Sequence, residues 1–350
     1  MSRTVPTSGA ERSPRTIFNE VSRRAEDPPA AAPNALGASL GLLGDEWTLL
    51  ILRYAFEGRR RFTEWRDQLG IGDAVLSSRL ARLTDEGLLV RVRYSERPER
   101  FEYRLTDAGL DLWALLLTIW AWELRWAEGQ ADRLPRMRHR ACSSEFAPVL
   151  GCAACHRAVG IRDVVGGFGP GGSYAGSIPS GTTRRRNGRS ASASTDGPGL
   201  FPETMAIVGN RWSSGVLGAA FMGDRRFGEF QQHLGASPNV ISDRLRTFVE
   251  LGVLAKTDGP ARPTYRLTDK GEAFFPAVMS LLAWGERWRP SPAGPTLLLS
   301  HTGCGSPFHP ELICSSCDGI LTAAEVLVKP APGHRSDAHS DARVALDEIA

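Results

Sequence analysis

Apolar positions along the chain predict a short run of helices followed by a hairpin. Leu36–Leu43 and Trp47–Phe56 read as two helices separated by Gly44 and Asp45. A short third helix starts at Arg61-Phe62-Thr63, with Thr63 as its cap, and ends at Leu69-Gly70. Asp73 caps a fourth helix from Ala74 to about Glu86, and Gly87 stops it. In that helix Leu76, Leu80 and Leu83 stand at i, i+4 and i+7, which makes one buried stripe. Ala74, Ser78 and Ala81 then face outward, with Ser77 and Arg82 on the flanks and Arg79 nearer the buried edge. Leu89–Tyr94 and Phe101–Leu105 read as strands around a charged tip containing Pro98. Thr106-Asp107 caps a long helix to about Ala127 that carries Trp113, Trp120, Trp122 and Trp126. Helix, short helix, turn, helix and hairpin is the order of a winged helix-turn-helix, an α+β unit that is mostly helical.

The unit occurs twice. Tyr103-Arg104-Leu105-Thr106-Asp107 recurs as Tyr265-Arg266-Leu267-Thr268-Asp269, and Trp122 and Trp126 recur as Trp284 and Trp288, all 162 residues on. Earlier in the unit the offset is 165, matching Trp47 to Trp212, Arg61-Phe62 to Arg226-Phe227 and Arg79-Leu80 to Arg244-Leu245. Two copies of one unit, about 35–165 and 200–328, account for most of the chain. The expected order is a disordered tail over 1–33, a first winged helix over 34–130 and a metal knuckle over 131–165. A flexible linker over 166–199, a second winged helix over 200–292, a second knuckle over 293–328 and a tail over 329–350 follow. GFGPGG in the linker matches a dinucleotide-binding pattern, but no strand precedes it and no helix follows, so that reading is set aside.

Six cysteines fall into two groups, His139, Cys142, Cys152, Cys155 and His301, Cys304, Cys314, Cys317. Each reads HxxC, nine residues, CxxC, the spacing of tetrahedral zinc ligands. The expectation is one structural zinc ion per repeat, held by that repeat's own four residues. Other uses compete: structural disulfides, a thiolate redox switch, and haem attachment, since Cys152-Ala-Ala-Cys155-His156 is a literal CxxCH. The second copy has Asp318 where a duplicated haem site needs a histidine.

The chain has 350 residues and a net charge of only +3, so nucleic-acid contact has to come from local patches. Arg91, Arg93, Arg97 and Arg100 form such a patch on one hairpin, as a wing touching phosphates requires. On the preceding helix, Ala74, Ser77, Ser78, Arg79 and Arg82 are candidate DNA contacts, with Arg82 the expected reader of a guanine edge. In the second copy the candidates are Asn239, Ser242, Asp243, Arg244 and Arg246; Ala74, Ser78, Ala81 and Arg82 become Asn239, Asp243, Arg246 and Thr247, Asp243 being an acceptor suited to cytosine. The tryptophans read as packing anchors rather than an effector cage. No nucleophile or acid–base constellation stands out, and a ligand-saturated metal site leaves no open position for catalysis, so an enzyme is not expected. No secretory signal or membrane span is evident, so a cytoplasmic protein at the bacterial nucleoid is expected.

Two stretches carry a family resemblance. "LGDEWTLLILRYAFEGRRRFTEWRDQLGIGDAVLSSRLARLTDEGLLVRVRY" with "EYRLTDAG" resembles the HxlR-type winged-helix regulators of bacteria, and "VGNRWSSGVLGAAFMGDRRFGEFQQHLGASPNVISDRLRTFVELGVLAK" with "TYRLTDKG" is similar to them again. The resemblance implies transcriptional regulation through double-stranded DNA, by a dimer built from the first and last helices of each domain. It departs from the usual pattern in having two domains in one chain and no cysteine in either first helix. An intramolecular pseudo-dimer on a non-palindromic site is therefore expected, with a homodimer of chains as the competing arrangement.

Overall fold

The computed structural model describes residues 32–130, 132–179, 201–257 and 262–329. Most of both expected tails, the 180–199 part of the expected linker and residue 200 lie outside the described residues. The first winged helix consists of α1 (Ala35–Leu43), α2 (Glu46–Phe56), α3 (Phe62–Leu69), α4 (Asp73–Asp85), β1 (Leu89–Glu96), β2 (Glu99–Leu105), α5 (Asp107–Leu110) and α6 (Trp113–Trp126). Beyond it come β3 (Arg136–His139), β4 (Pro148–Cys152), β5 (Val164–Phe168) and α7 (Tyr174–Ser177). The second repeat has α8 (Pro202–Val208), α9 (Arg211–Phe221), α10 (Phe227–Leu234), α11 (Pro238–Glu250), β6 (Leu254–Thr257), β7 (Thr264–Leu267), α12 (Asp269–Glu272) and α13 (Phe275–Trp288). It closes with β8 (Leu297–His301), β9 (Pro310–Cys314) and β10 (Val326–Lys329).

Local chemistry shifts several predicted boundaries. Arg61, not Thr63, occupies the cap of α3, and the Glu64 carboxylate accepts from the Arg61 N–H at 2.8 Å. Asp73 lies inside α4 and Gly72 precedes it as the cap, so the acid meets the positive helix end from the first turn. The expected long helix from Thr106 is two: Thr106 caps the single turn of α5, and α6 begins afresh at Trp113. Leu76, Leu80 and Leu83 are buried as the pattern required.

The two repeats share one core. The terminal helices α6 and α13 pack on each other, and α1 of the first repeat lies along α13 of the second. Trp122 Nε1 donates to the Lys270 carbonyl at 3.0 Å and Trp284 Nε1 to the Ala108 carbonyl at 2.8 Å, so each repeat's terminal helix is bonded to the turn before the other's. The two sides of this pseudo-twofold are not identical. A Cβ at Gly285 would meet the Ala35 carbonyl oxygen at 2.6 Å and Ser39 Oγ at 2.5 Å, so glycine allows α1 to sit close on α13. The aligned residue of α6 is Glu123, fully buried, whose carboxylate accepts from the Thr204 N–H of α8 at 2.7 Å. Burial pushes the Glu123 carboxyl above its ordinary value, and the Thr204 hydrogen bonds offset only part of that.

The segments after the terminal helices interleave. β4 pairs antiparallel with β9, with Leu150 opposite Leu312 at the centre, and these two residues are themselves equivalent in the repeats. β3 pairs with β10, and β5 with β8. Each of these ladders joins one repeat to the other, which corrects the expectation of two separate knuckles.

The expected linker is structured over its first part. Gly169 N–H donates to Thr296 O at 2.9 Å and Gly171 N–H to Pro295 O at 3.1 Å. A Cβ at Gly169, Gly171 or Gly172 would fall within 2.3 Å of a carbonyl oxygen of residues 294–296. Contrary to expectation, a strand, β5, does lead into the dinucleotide-like pattern and a single helical turn, α7, does follow it, but its glycines serve close backbone approach to residues 294–296. Ile178 is buried, and the Tyr174 ring stacks on His233 of the second repeat, with centroids 4.5 Å apart. Composition understated this stretch because three well-spaced apolar side chains, Phe168, Tyr174 and Ile178, suffice to anchor it.

Candidate nucleic-acid interface and metal centres

Helix α4 presents a bare face. Ala74, Ser77, Ser78 and Ala81 are exposed, opposite the buried leucine stripe. Val75 joins them at 41% exposure. It was not singled out from sequence, although its place off the leucine stripe was the available signal; an exposed aliphatic group there can meet a thymine methyl. Arg79 grips Asp45 with two hydrogen bonds, Nε at 2.8 Å and Nη2 at 3.0 Å, and is an intradomain contact. Asp45 also accepts from the Thr48 N–H as the cap of α2, so one carboxylate ties α4 to the start of α2. Arg82 differs from expectation. Its Nη2 donates to the Gly41 carbonyl at 2.7 Å, because the carbonyl end of α1 is electronegative and lies within its reach. Arg82 therefore braces α1 instead of turning freely to a base.

The wing divides its arginines in two. The Arg91 guanidinium lies 3.6 Å from the Phe101 ring centroid, and Arg93 sits 3.7 Å from both Glu96 and Glu99. Arg97 and Arg100, at the tip, are exposed and have no ion-pair partner among the described residues. These two guanidiniums are the wing arginines left without an internal ion pair or ring contact among the described residues.

In the second repeat Asn210 replaces Asp45 as the cap, accepting from the Trp212 N–H at 2.9 Å but carrying no charge. Arg244, the counterpart of Arg79, turns instead to Asp243, and Arg246 joins it on the same carboxylate. The Arg244 hydrogen bond leads in holding the Asp243 carboxyl below the usual range. Asp243 is thus paired within its own helix, a partner set that competes with its expected role as an acceptor for cytosine. Asn239, Ser242 and Arg246 are exposed, and Arg244 is half-buried. The tip of the second wing, 258–261, lies outside the described residues.

The eight cysteine and histidine candidates do come together, but not by repeat. One quartet is His139, Cys142, Cys314 and Cys317; the other is Cys152, Cys155, His301 and Cys304, and in each the four ligand atoms lie within 4.8 Å of one another. Each HxxC turn meets the other repeat's CxxC turn. The reason is β4 itself: a five-residue strand is about 16 Å long, so the turns at either end of it diverge, and the antiparallel ladder brings in the other repeat's turn. The residue after the second ligand of each turn adopts a left-handed backbone: Ser143 (φ 58), Gly305 (φ 71), His156 (φ 56) and Asp318 (φ 57).

The donor set fits a tetrahedral metal. With Zn–S and Zn–N distances of ordinary length, a regular tetrahedron has S···S edges of about 3.8 Å and S···N edges of about 3.6 Å. Cys142 Sγ lies 4.0 Å from Cys314 Sγ, and His139 Nδ1 lies 3.5 Å from Cys142 and 3.2 Å from Cys317. In the other quartet Cys152 and Cys304 are 4.0 Å apart, and His301 Nδ1 is 3.3 Å from Cys155 and from Cys304. All six cysteines are free, and these separations are about twice a disulfide bond. The Ser144 N–H pulls the Cys142 thiol down to about 6, and the Ser306 N–H does the same for Cys304, whereas Cys155 and Cys317 are raised, their bonds from the Arg157 and Gly319 N–H groups being outweighed by burial and the neighbouring sulfurs; each quartet thus has one thiol poised low. Behind the first quartet, His139 Nε2 is buried with the Glu325 carboxylate 3.8 Å away. His156, the residue that suggested haem attachment, instead pairs with Glu311 at 2.9 Å on the exposed side of its turn.

Comparison with known proteins agrees with this architecture. The family of HxlR-like helix-turn-helix proteins matches residues 42–131 and again 207–292. An uncharacterized HTH-type transcriptional regulator of Mycobacterium tuberculosis (strain CDC 1551 / Oshkosh) is 39% identical over 135 residues, 38% of this chain and 85% of that protein. The HTH-type regulator YvaP of Bacillus subtilis (strain 168), also uncharacterized, is 35% identical over 91 residues, 26% of this chain and 84% of its own length. A solved structure described as a candidate transcription factor, PA1607, is 34% identical over 34% of this chain and 85% of its own, with a TM-score of 0.31. Among the described residues no single helix is long and apolar enough to cross a membrane. With both winged-helix units matched in sequence and each complete in its elements, the chain belongs to the HxlR-like helix-turn-helix family and carries two copies of its domain.

Proposed function

We propose that this protein is a sequence-specific DNA-binding transcriptional repressor, not an enzyme, and that a single chain acts as a pseudo-dimer. The observation that carries the reading is the exposed face of α4, small and polar apart from Val75, beside a wing whose tip arginines Arg97 and Arg100 are unpaired among the described residues. Such a face enters a major groove, and such a tip neutralises phosphate. The mutual bonds of Trp122 and Trp284 support a fixed relation between the two heads. Because α11 presents Asn239 and Asp243 where α4 presents Ala74 and Ser78, the two half-sites differ, and the negative Asp243 favours weaker reading by the second head. The two quartets are read as zinc sites, and the working place of such a regulator is the cytoplasm, at the nucleoid.

Genomic footprinting joined to light scattering on the complex tests this. One chain over two unlike half-sites is expected. Binding to genomic fragments without a steep salt dependence overturns the DNA reading in favour of a protein-interaction adaptor, equal affinity for random and genomic DNA overturns sequence specificity, and two chains on a perfect palindrome overturn the pseudo-dimer.

A further inference from the structure

We infer that each quartet holds one Zn²⁺ shared between the repeats, so that two metal ions clamp the winged-helix domains to each other instead of stabilising each domain alone. This rests on the zinc reading and takes it further, from occupancy to connectivity and role. The ligands of each ion come equally from both halves of the chain: HxxC from one, CxxC from the other. The strands that carry them pair only across the repeats, β3 with β10, β4 with β9 and β5 with β8. Two further features fix the ligands in place. Cys152 and Cys314, the first cysteines of the CxxC turns, are completely buried, and His139 and His301 are nearly so. The left-handed residue after each second ligand turns backbone N–H groups toward the sulfurs, as the Ser144 and Ser306 hydrogen bonds to Cys142 and Cys304 show.

The donor chemistry selects the ion. Three thiolates and one imidazole nitrogen make a soft, closed, four-coordinate set, which suits zinc and excludes magnesium or calcium, whose ligands are oxygens. No coordination position is left for a substrate, so the ion's work is mechanical. Terminal helices α6 and α13 lead through the short segments 127–135 and 289–296 into the clamped strands, and along the chain the clamp connects to α5, α12 and the two hairpins. Removing the ions frees one end of each terminal helix and loosens the relation between α4 and α11, while the core around each recognition helix persists.

The full-length chain, purified from zinc-supplemented cells, tests both parts by metal analysis. Two zinc ions per chain are expected. The pair Cys142→Ser with Cys314→Ser removes two ligands from one ion and leaves one zinc per chain. The pair Cys142→Ser with Cys152→Ser injures both ions and leaves none bound after dialysis against a weak chelator. The opposite outcome, none for the first pair and one for the second, overturns the shared clamp while keeping zinc. A wild-type chain without metal overturns the zinc reading itself. Because a variant can lose metal by misfolding, the unaltered chain loaded with ¹¹³Cd supplies a second measurement. Scalar couplings from one cadmium to the β protons of Cys142 and Cys314 are expected, and couplings linking Cys142 to Cys152 refute the clamp. Neither readout involves DNA, so its failure is separable from failure of the regulator reading.

Discussion

Arg79 and Arg244 occupy equivalent places in the two recognition helices, yet removing them should have very different costs. Arg79→Met keeps most of the aliphatic stem and deletes the guanidinium. It breaks two hydrogen bonds to an Asp45 side chain that is only 9% exposed, from an arginine side chain 25% exposed. A hydrogen bond to a charged group contributes roughly 1.5–3 kcal/mol, and a broken buried pair leaves its partner's charge unmatched. Asp45 keeps its bonds to the Thr48 N–H and hydroxyl, which recovers part of that. The net expected loss is about 2–3 kcal/mol, or about 30- to 150-fold in the folding equilibrium. Arg244→Met breaks a pair whose acid, Asp243, is 41% exposed and still meets Arg246, so less than about 1 kcal/mol is expected. Urea unfolding at saturating zinc measures both, as midpoint shifts at constant slope. Asp45→Asn, which recreates the cap of the second repeat, should remove most of what Arg79→Met then costs. Equal losses at Arg79 and Arg244, or additive losses at Asp45 and Arg79, refute the claim that the first recognition helix is held by this pair.

Three further outcomes follow from the packing. Glu123 has its native carboxyl raised by burial, so the native state keeps a proton that the unfolded chain gives up; stability should fall as pH rises from the ordinary carboxylate range to the raised value, then level off. Glu123→Gln removes that loss, and stability curves for the two chains that stay parallel across this window would contradict the assignment. Gly285→Ala drives a methyl into the Ala35 carbonyl and Ser39 Oγ and should cost about 1–3 kcal/mol by calorimetry, whereas Gly218→Ala, whose Cβ meets nothing, should be neutral or stabilising. Arg97→Ala with Arg100→Ala should weaken specific and random DNA alike and flatten the salt dependence by about one to two units in log–log slope; a loss confined to one sequence would make these residues base readers.

Much of the fold was legible because it rests on short-range periodicity. The leucine stripe of α4, the strand alternation of the hairpin and the repeated Tyr-Arg-Leu-Thr-Asp block each state their own geometry. Spacing also revealed the metal-ligand candidates. It could not reveal their partners, because an HxxC turn is chemically identical whether its CxxC comes from its own repeat or the other. That choice is made by β4, which runs extended and meets its own counterpart at Leu150 and Leu312. The bond from Arg82 to the Gly41 carbonyl was hidden for a similar reason: helix geometry fixes the direction of a side chain but not that the end of α1 lies beneath it. Asp243 shows the converse, a local pairing that was readable once Asn210 was seen to have lost the charge that holds Arg79 in the other copy.

The interleaved strands also set a constraint on how the protein is made. A chain emerging from the ribosome presents His139, Cys142, Cys152 and Cys155 long before Cys314 and Cys317 exist, and β3 waits for β10, which ends at Lys329. The N-terminal repeat cannot complete its last layer during its own synthesis. In that interval a nascent half holds one complete HxxC–CxxC set, able to capture metal in the wrong pairing, and an unpaired apolar strand β4. If the quartets take zinc as proposed, leaving such a pairing requires exchange of thiolate ligands, and the yield of correctly assembled protein should then respond to metal supplied after translation ends.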